Sequence, residues 1–369
     1  MVLTDDQKAL QETARRFARE RLLPDYQKRE KTGVLDRALV AEMGRLGLLG
    51  MDLPEEFGGL GTDAVTTGLI TEALAYGDFN ISAIPVGISL NGAILMRHAQ
   101  PEVVNAWVPR MIRGEAIIAI CLTEPRGGSD AGNLQLRARR DGDSYVLNGE
   151  KTSITFADCA DAFLVFARTG LPADGAKGVS AFFIPGDIPG ISRTRFDDVG
   201  SAVTGRGSVF FDDVRVPASH RLGEEGKGFT QVMQGFDYSR ALIALQCCGA
   251  AQASLDEAWA YAAEREAFGR PIGQFQGVSF PLAEGESHIA AVRQLSYHAL
   301  AQPERGNPFD SDAARAQLQV LLLHQRANRG TPERRDPVHT CVLAHLIDGL
   351  LRDHPPVAHH HHALNSLIR

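Results

Sequence analysis

Two hydroxyls flank a glycine-rich turn in Thr123-Glu124-Pro125-Arg126-Gly127-Gly128-Ser129-Asp130. The apolar run Ala119-Ile120-Cys121-Leu122 leads into it as a strand would. A Pro-Arg-Gly-Gly turn at that point exposes backbone N–H groups on a concave edge, which suits a pyrophosphate or an electron-rich ring. Read alone, the segment also fits a plain β-turn. A second window, Asn148-Gly149-Glu150-Lys151-Thr152-Ser153-Ile154-Thr155, reads as a hairpin turn entering a strand on which Ser153 and Thr155 share a face. A third joins Gly235-Phe236-Asp237-Tyr238-Ser239-Arg240 to Arg265-Glu266-Ala267-Phe268-Gly269-Arg270-Pro271-Ile272, with Gln276 opening the next helix. Arginines and a glutamine so placed suit phosphate and ribose contacts, or a capped helix end with a solvated Arg.

The elements that must carry these windows change period twice along the chain. Leu10, Ala14, Phe17, Ala18 and Leu22 recur at helical spacing up to Pro24. Helical segments follow over 35–48, 64–76, 81–98 and 101–112, separated by Pro and Gly breakers. From about Ala116 to Leu222, short apolar runs bounded by Asp-Gly-Asp, Asn-Gly-Glu and Pro-Gly predict an antiparallel β-domain. Helical texture returns over 230–267 and 275–300. The expected architecture is α+β and multidomain: helical 1–117, an antiparallel, barrel-like β-domain 118–222, a helical bundle 223–310, and a tail 311–369 of different character. That tail holds Arg-rich stretches, His354-Pro355-Pro356 and the run His359 to His362, and it is expected to pack differently from the rest.

Composition narrows the function. A chain of 369 residues with 44% hydrophobic and 22% charged residues is globular rather than disordered, and its length predicts two or three domains. A net charge of -7 argues against nucleic acid as a partner. The longest apolar stretch, Ile81 to Met96, is broken by Pro85 and Asn91 and is too short to span a bilayer. Five cysteines without a C-x-x-C unit favour a reducing compartment, and with no leader at the start the protein is expected to be cytoplasmic. Cys247-Cys248 reads as a small buried helix contact and the His run as low complexity, so no metal site is expected. Neither a Walker loop nor a G-x-G-x-x-G after a strand is present, which leaves ATP and nicotinamide unsupported.

Taken together, the three windows in this order resemble the acyl-CoA dehydrogenase family over residues 1 to about 300. The resemblance implies FAD as cofactor and α,β-dehydrogenation of an acyl-CoA thioester. A carboxylate removes the α-proton, the β-hydrogen leaves as hydride to the flavin, and electrons pass to an electron-transferring flavoprotein. Carried over by position, Thr123 and the backbone of Cys121 and Leu122 contact the flavin. Ser129 lies near the FAD pyrophosphate and the acyl-CoA. Ser153 stands where relatives usually carry a flavin-flanking Trp, followed by Ile154 and the flavin contact Thr155. Phe236, Asp237 and Arg240 fall on the acyl-CoA side, while Arg265, Phe268 and Gln276 reach the FAD of a neighbouring subunit in a homotetramer built as paired dimers. The Lys-Thr-Ser-Ile-Thr and Phe-Asp-Tyr-Ser-Arg sequences look most like the cyclohexanecarboxyl-CoA dehydrogenase branch, since a small residue beside the flavin leaves room for a ring.

The catalytic carboxylate is where the sequence departs from the family. One branch places the base just before the Arg matching Arg240, and Ser239 stands there. The other places it in a Glu-Gly-Thr-type tail motif, of which only Asp348-Gly349 offers an acidic-Gly pair, leaving Asp348 as the remaining candidate. The family's Gly-Gly tail segment is missing too, and the chain from about Ala313 reads as replaced, by a shift of reading frame or by divergence. Two alternatives follow: a catalytically impaired family member that binds flavin or CoA, and a flavin oxidase or monooxygenase of the same fold.

Overall fold

A computed structural model describes residues 2–128, 130–198 and 200–302. Ser129, Asp348, Cys341 and the His359 to His362 run lie outside the described residues, as does the whole expected tail. Six helices come first: α1 (Asp5–Phe17), α2 (Tyr26–Thr32), α3 (Arg37–Arg45), α4 (Ala64–Gly77), α5 (Ala83–His98) and α6 (Pro101–Ile112). A capping box fixes the start of α1, where Thr4 Oγ1 accepts from the Gln7 N–H and Gln7 Oε1 from the Thr4 N–H. The single helix expected up to Pro24 instead passes into a π-helical turn, Ala18–Leu22, and then a 3-10 turn. Buried Arg29 satisfies the carbonyls that this change of pitch leaves over, donating to those of Arg21 and Leu22 and pairing with Asp78 at 2.7 Å.

The middle of the chain forms one eight-stranded sheet: β1 (Ile118–Cys121), β2 (Arg137–Asp141), β3 (Ser144–Ile154), β4 (Ala162–Arg168), β5 (Val179–Pro185), β6 (Ile191–Arg195), β7 (Gly207–Pro217) and β8 (Arg221–Leu222). Its order is β6-β7-β3-β2-β4-β5-β8, with β1 joined to β4. Two expectations are corrected here. The sheet is open among the described residues, with β6 and β8 at separate edges, so the barrel-like reading does not hold. It is also mixed, because β1 runs parallel to β4. Short alternating runs define strands without saying which edges meet, and the parallel partner of β1 arrives only after some forty intervening residues.

Helix α7 (Gly228–Glu264) and α8 (Gln276–Leu300) close the described chain, linked by a small hairpin of β9 (Glu266–Ala267) and β10 (Arg270–Pro271). Leu69 of α4, Leu242 and Leu245 of α7 and Leu300 of α8 form a buried apolar seam. Each such side chain contributes about 1.5–3 kcal/mol through burial. Gly249 lets α7 cross α4 closely, since a Cβ there would lie 2.2 Å from the Glu72 carbonyl oxygen. Asn91 of α5 donates to the Ile118 carbonyl at 2.7 Å and so ties the helical layer to β1. No helix among the described residues is long and apolar enough to cross a membrane.

Candidate active site

The loop after β1 is held from beneath by a buried ion pair. Lys151 on β3 is fully buried; its Nζ donates to the Leu122 carbonyl at 3.0 Å and to Glu124 Oε1 at 2.8 Å. The Glu124 carboxylate also accepts the backbone N–H groups of Gln135 and Leu136, at 2.6 and 2.8 Å. Burial pulls the Lys151 ammonium down to about 8, against the opposing pull of Glu124. On the exposed side of the same loop, the Thr152 N–H donates to the Thr123 carbonyl at 2.9 Å. The turn beginning at Thr123 is thereby stitched to β3 from both sides. Neighbouring Cys121 is wholly buried, which pushes its thiol far above the usual range and rules it out as a nucleophile.

Strand β3 changes course at this point. Lys151 pairs with Val209 and Ile154 with Gly207, so Thr152 and Ser153 together face only Ser208. This is a β-bulge, the device that re-aims side chains beside functional sites. Ser153 takes a left-handed φ of 59° and Phe156 one of 65°, so the backbone turns on either side of Ile154 and Thr155. The Thr152 and Ser208 hydroxyls meet at 2.9 Å. Those of Thr123 and Thr155 are half-buried and make no hydrogen bond to any other described residue. Unpaired hydroxyls on the stitched loop and the re-aimed strand are a donor and acceptor set suited to the polar edge of a flat heterocycle, so the residues present fit a flavin.

The second window therefore differs from its expected form. Asn148-Gly149 makes no hairpin; it lies within β3 opposite a bulge in β7, where Asp212 and Asp213 together face Asn148, and Asn148 exchanges hydrogen bonds of 2.9 Å with Asp213 through its side-chain amide. The β2–β3 turn is at Asp141 to Ser144, built on Gly142 with φ 60°. The bulge at Thr152 and Ser153 also breaks the alternation that was expected to put Ser153 and Thr155 on one face. An Asn-Gly pair is a strong hairpin signal, and the strand that holds it mid-sheet here is distant in sequence.

On α7, Phe236 packs half-buried against the main core, and Asp237 pairs with Arg240 at 2.5 Å. Ser239 is buried, and its hydroxyl donates to the Phe236 carbonyl one turn earlier at 3.1 Å. The position thus carries neither a carboxylate nor a free hydroxyl. Asp52 went unnoticed in the sequence: its carboxylate accepts from Ser89 at 2.8 Å and from Tyr238 at 3.0 Å, and desolvation raises its pKa. Only the fold brings residues 52, 89 and 238 together. Arg265, Phe268 and Gln276 are exposed at the β9–β10 hairpin and the start of α8, with Phe268 at 96% accessibility. Phe268 packs edge-on to Phe275, over whose ring lies Arg270. Among the described residues no three His, Cys, Asp or Glu side chains converge as a metal site, and Cys121, Cys159, Cys247 and Cys248 are free thiols.

This helix, sheet and helix order is matched in three successive segments. Residues 4–115 match the acyl-CoA dehydrogenase N-terminal domain, 119–214 the middle domain and 226–331 the C-terminal domain. The chain is 37% identical over 318 residues to the mitochondrial short-chain specific acyl-CoA dehydrogenase of Homo sapiens, covering 86% of this chain and 77% of that protein. Among solved structures, butyryl-CoA dehydrogenase from Megasphaera elsdenii superposes with a TM-score of 0.87 at 30% identity, covering 95% of this chain and 96% of that one. A glutaryl-CoA dehydrogenase from Mycobacterium smegmatis in complex with FADH2 superposes with a TM-score of 0.85 at 28% identity, covering 94% and 92%. The chain belongs to the acyl-CoA dehydrogenase family of FAD-dependent oxidoreductases.

Proposed function

We propose that this protein carries out α,β-dehydrogenation of an alicyclic acyl-CoA thioester, of which cyclohexanecarboxyl-CoA is the representative, and passes the electrons to an electron-transferring flavoprotein in the cytoplasm. The observation that carries the reading is the stitched bulge: the Thr123 and Thr155 hydroxyls bond to no other described residue, and Ser153 puts a small side chain where the resemblance expects a Trp. Bound FAD supplies the hydride acceptor. Thr123, Thr155 and the backbone at Cys121, Leu122 and Ile154 orient it, with Ser129 at its phosphates. Phe236, Asp237 and Arg240 take the acyl-CoA side. Arg265, Phe268 and Gln276 belong to the FAD site of a second subunit, which makes the working unit a homodimer or a tetramer of paired dimers. The three bodies are taken as 1–117, 118–222 and 223–310, followed by the tail.

Ser239 favours a second reading, a flavin- or CoA-binding protein with little turnover, because the only base position on α7 lacks a carboxylate. The visible spectrum of the purified protein, before and after anaerobic addition of a thioester, separates the two. Yellow protein that bleaches faster with cyclohexanecarboxyl-CoA than with butyryl-CoA or octanoyl-CoA is the expected result. A clear preference for a linear chain overturns the alicyclic assignment, and yellow protein that no thioester bleaches favours the binding protein. Rapid reoxidation of bleached protein by air would instead favour an oxidase or monooxygenase.

A further inference from the structure

Arg206 immediately precedes β7 and is anchored on three sides. Its guanidinium forks onto both carboxylate oxygens of Asp198, each at 2.6 Å, and lies 5.1 Å from the centroid of the Phe196 ring. Its carbonyl accepts the Phe196 N–H at 2.8 Å. The pair is largely shielded, with 18% of the Arg206 side chain and 11% of the Asp198 side chain accessible. From this fixed position Nη1 reaches Ser153 Oγ at 3.3 Å. The residue it touches is held in the left-handed region, a conformation that strains a non-glycine residue and persists only where the surroundings enforce it.

Gly207, next to Arg206, lies against β6 so closely that a Cβ there would sit 1.8 Å from the Thr194 carbonyl oxygen, and Gly207 pairs with Ile154. The Arg206 backbone is therefore locked, and its side chain acts on β3 from a rigid base. A guanidinium fork suits this task because a bidentate carboxylate pair fixes its plane and leaves the remaining N–H groups aimed.

We propose that Arg206, oriented by Asp198, is a positioning residue for the flavin: it holds the Ser153 hydroxyl, keeps the bulge in its left-handed form and thereby aims Thr155. The inference rests on the reading of Thr123 and Thr155 as flavin contacts, and the test keeps the two apart. FAD affinity and the visible circular dichroism of bound flavin are measured on the full-length protein and on Arg206→Gln, Ser153→Gly, the double variant, Thr123→Ala and Thr155→Ala, with the melting temperature of each apoprotein alongside. Arg206→Gln is expected to weaken FAD about tenfold and to alter the flavin dichroism, the size of effect that one charge-assisted hydrogen bond supports.

Glycine adopts positive φ without cost, so Ser153→Gly in the Arg206→Gln background is expected to restore FAD affinity to within about twofold of the parent. A purely structural arginine would lower the apoprotein melting temperature and gain nothing from that glycine, and this result would overturn the proposal. So would Arg206→Gln binding FAD like the parent with unchanged dichroism. If Arg206→Gln fails to fold, Ser153→Ala, which removes only the acceptor, carries the same expectation of weakened binding. If neither threonine variant changes FAD affinity, the flavin site is elsewhere and the proposal falls with it; if both do and Arg206→Gln does not, only the proposal falls.

Discussion

Lys151→Met is expected to destabilise the protein by about 3–5 kcal/mol and to strip it of flavin. The substitution keeps most of the side-chain volume and removes the charge together with the ammonium's hydrogen-bond donors. Glu124 would then lose its cationic partner in a site with 6% of its side chain accessible, keeping only two backbone N–H groups. Removing one member of a buried ion pair carries that cost because the survivor keeps its desolvation penalty and loses its partner. The loop above would suffer as well, since the Leu122 carbonyl loses the donor that holds it. Adding Glu124→Gln should recover only part of the loss. A glutamine has one oxygen for the two N–H groups that the carboxylate now accepts, and its own NH₂ would face one of them. Denaturant unfolding, with FAD content read from the visible spectrum, measures both effects; a Lys151→Met protein within about 1 kcal/mol of the parent would show that the pair is energetically idle.

Ser239→Glu is expected to speed anaerobic flavin bleaching by an acyl-CoA on the order of 100-fold, the scale on which a positioned general base acts. Ser239 lies inside α7, one turn from Phe236 and beside the paired Arg240, and its hydroxyl is spent on the helix backbone. A glutamate there meets little water, so its pKa should rise, and the gain should grow as pH increases through that raised value. Ser239→Gln, of equal size and without a base, should stay at the parent rate. If the parent already bleaches fast and the glutamate adds nothing, the proton goes to a group elsewhere, and Asp348 becomes the first to replace.

How far these features could be read from the chain follows the range of the interactions behind them. Helices α4 to α8 and the strands around 163–167 and 179–184 were legible because each is an apolar or small-residue run bounded by Gly, Pro or Asp turn signals, long for the helices and short for β4 and β5, whose residues are buried on both faces. The turn after β1 was legible because the glycine-rich Thr123 to Asp130 segment is continuous in sequence. The π turn at Ala18–Leu22 was hidden, since its support comes from Arg29 and Asp78, which no local pattern links to it. Asn148-Gly149 was misread as a hairpin because what holds it mid-strand is the bulge at Asp213, 65 residues away. The same holds for Lys151, whose place in an N-G-x-K run gives no hint of full burial, and for the convergence of Arg206 on Ser153.

The hairpin that carries Phe268 has a consequence for how the protein behaves in the test tube. On the proposed reading, in which Thr123 and Thr155 contact one FAD while the exposed Arg265, Phe268 and Gln276 reach the FAD of a second subunit, each chain would hold two halves of different FAD sites. Cofactor retention then depends on how often chains meet as well as on how tightly each one binds. Dilution would drain the colour from a stock that is fully loaded when concentrated, and specific activity would climb with protein concentration until association saturates.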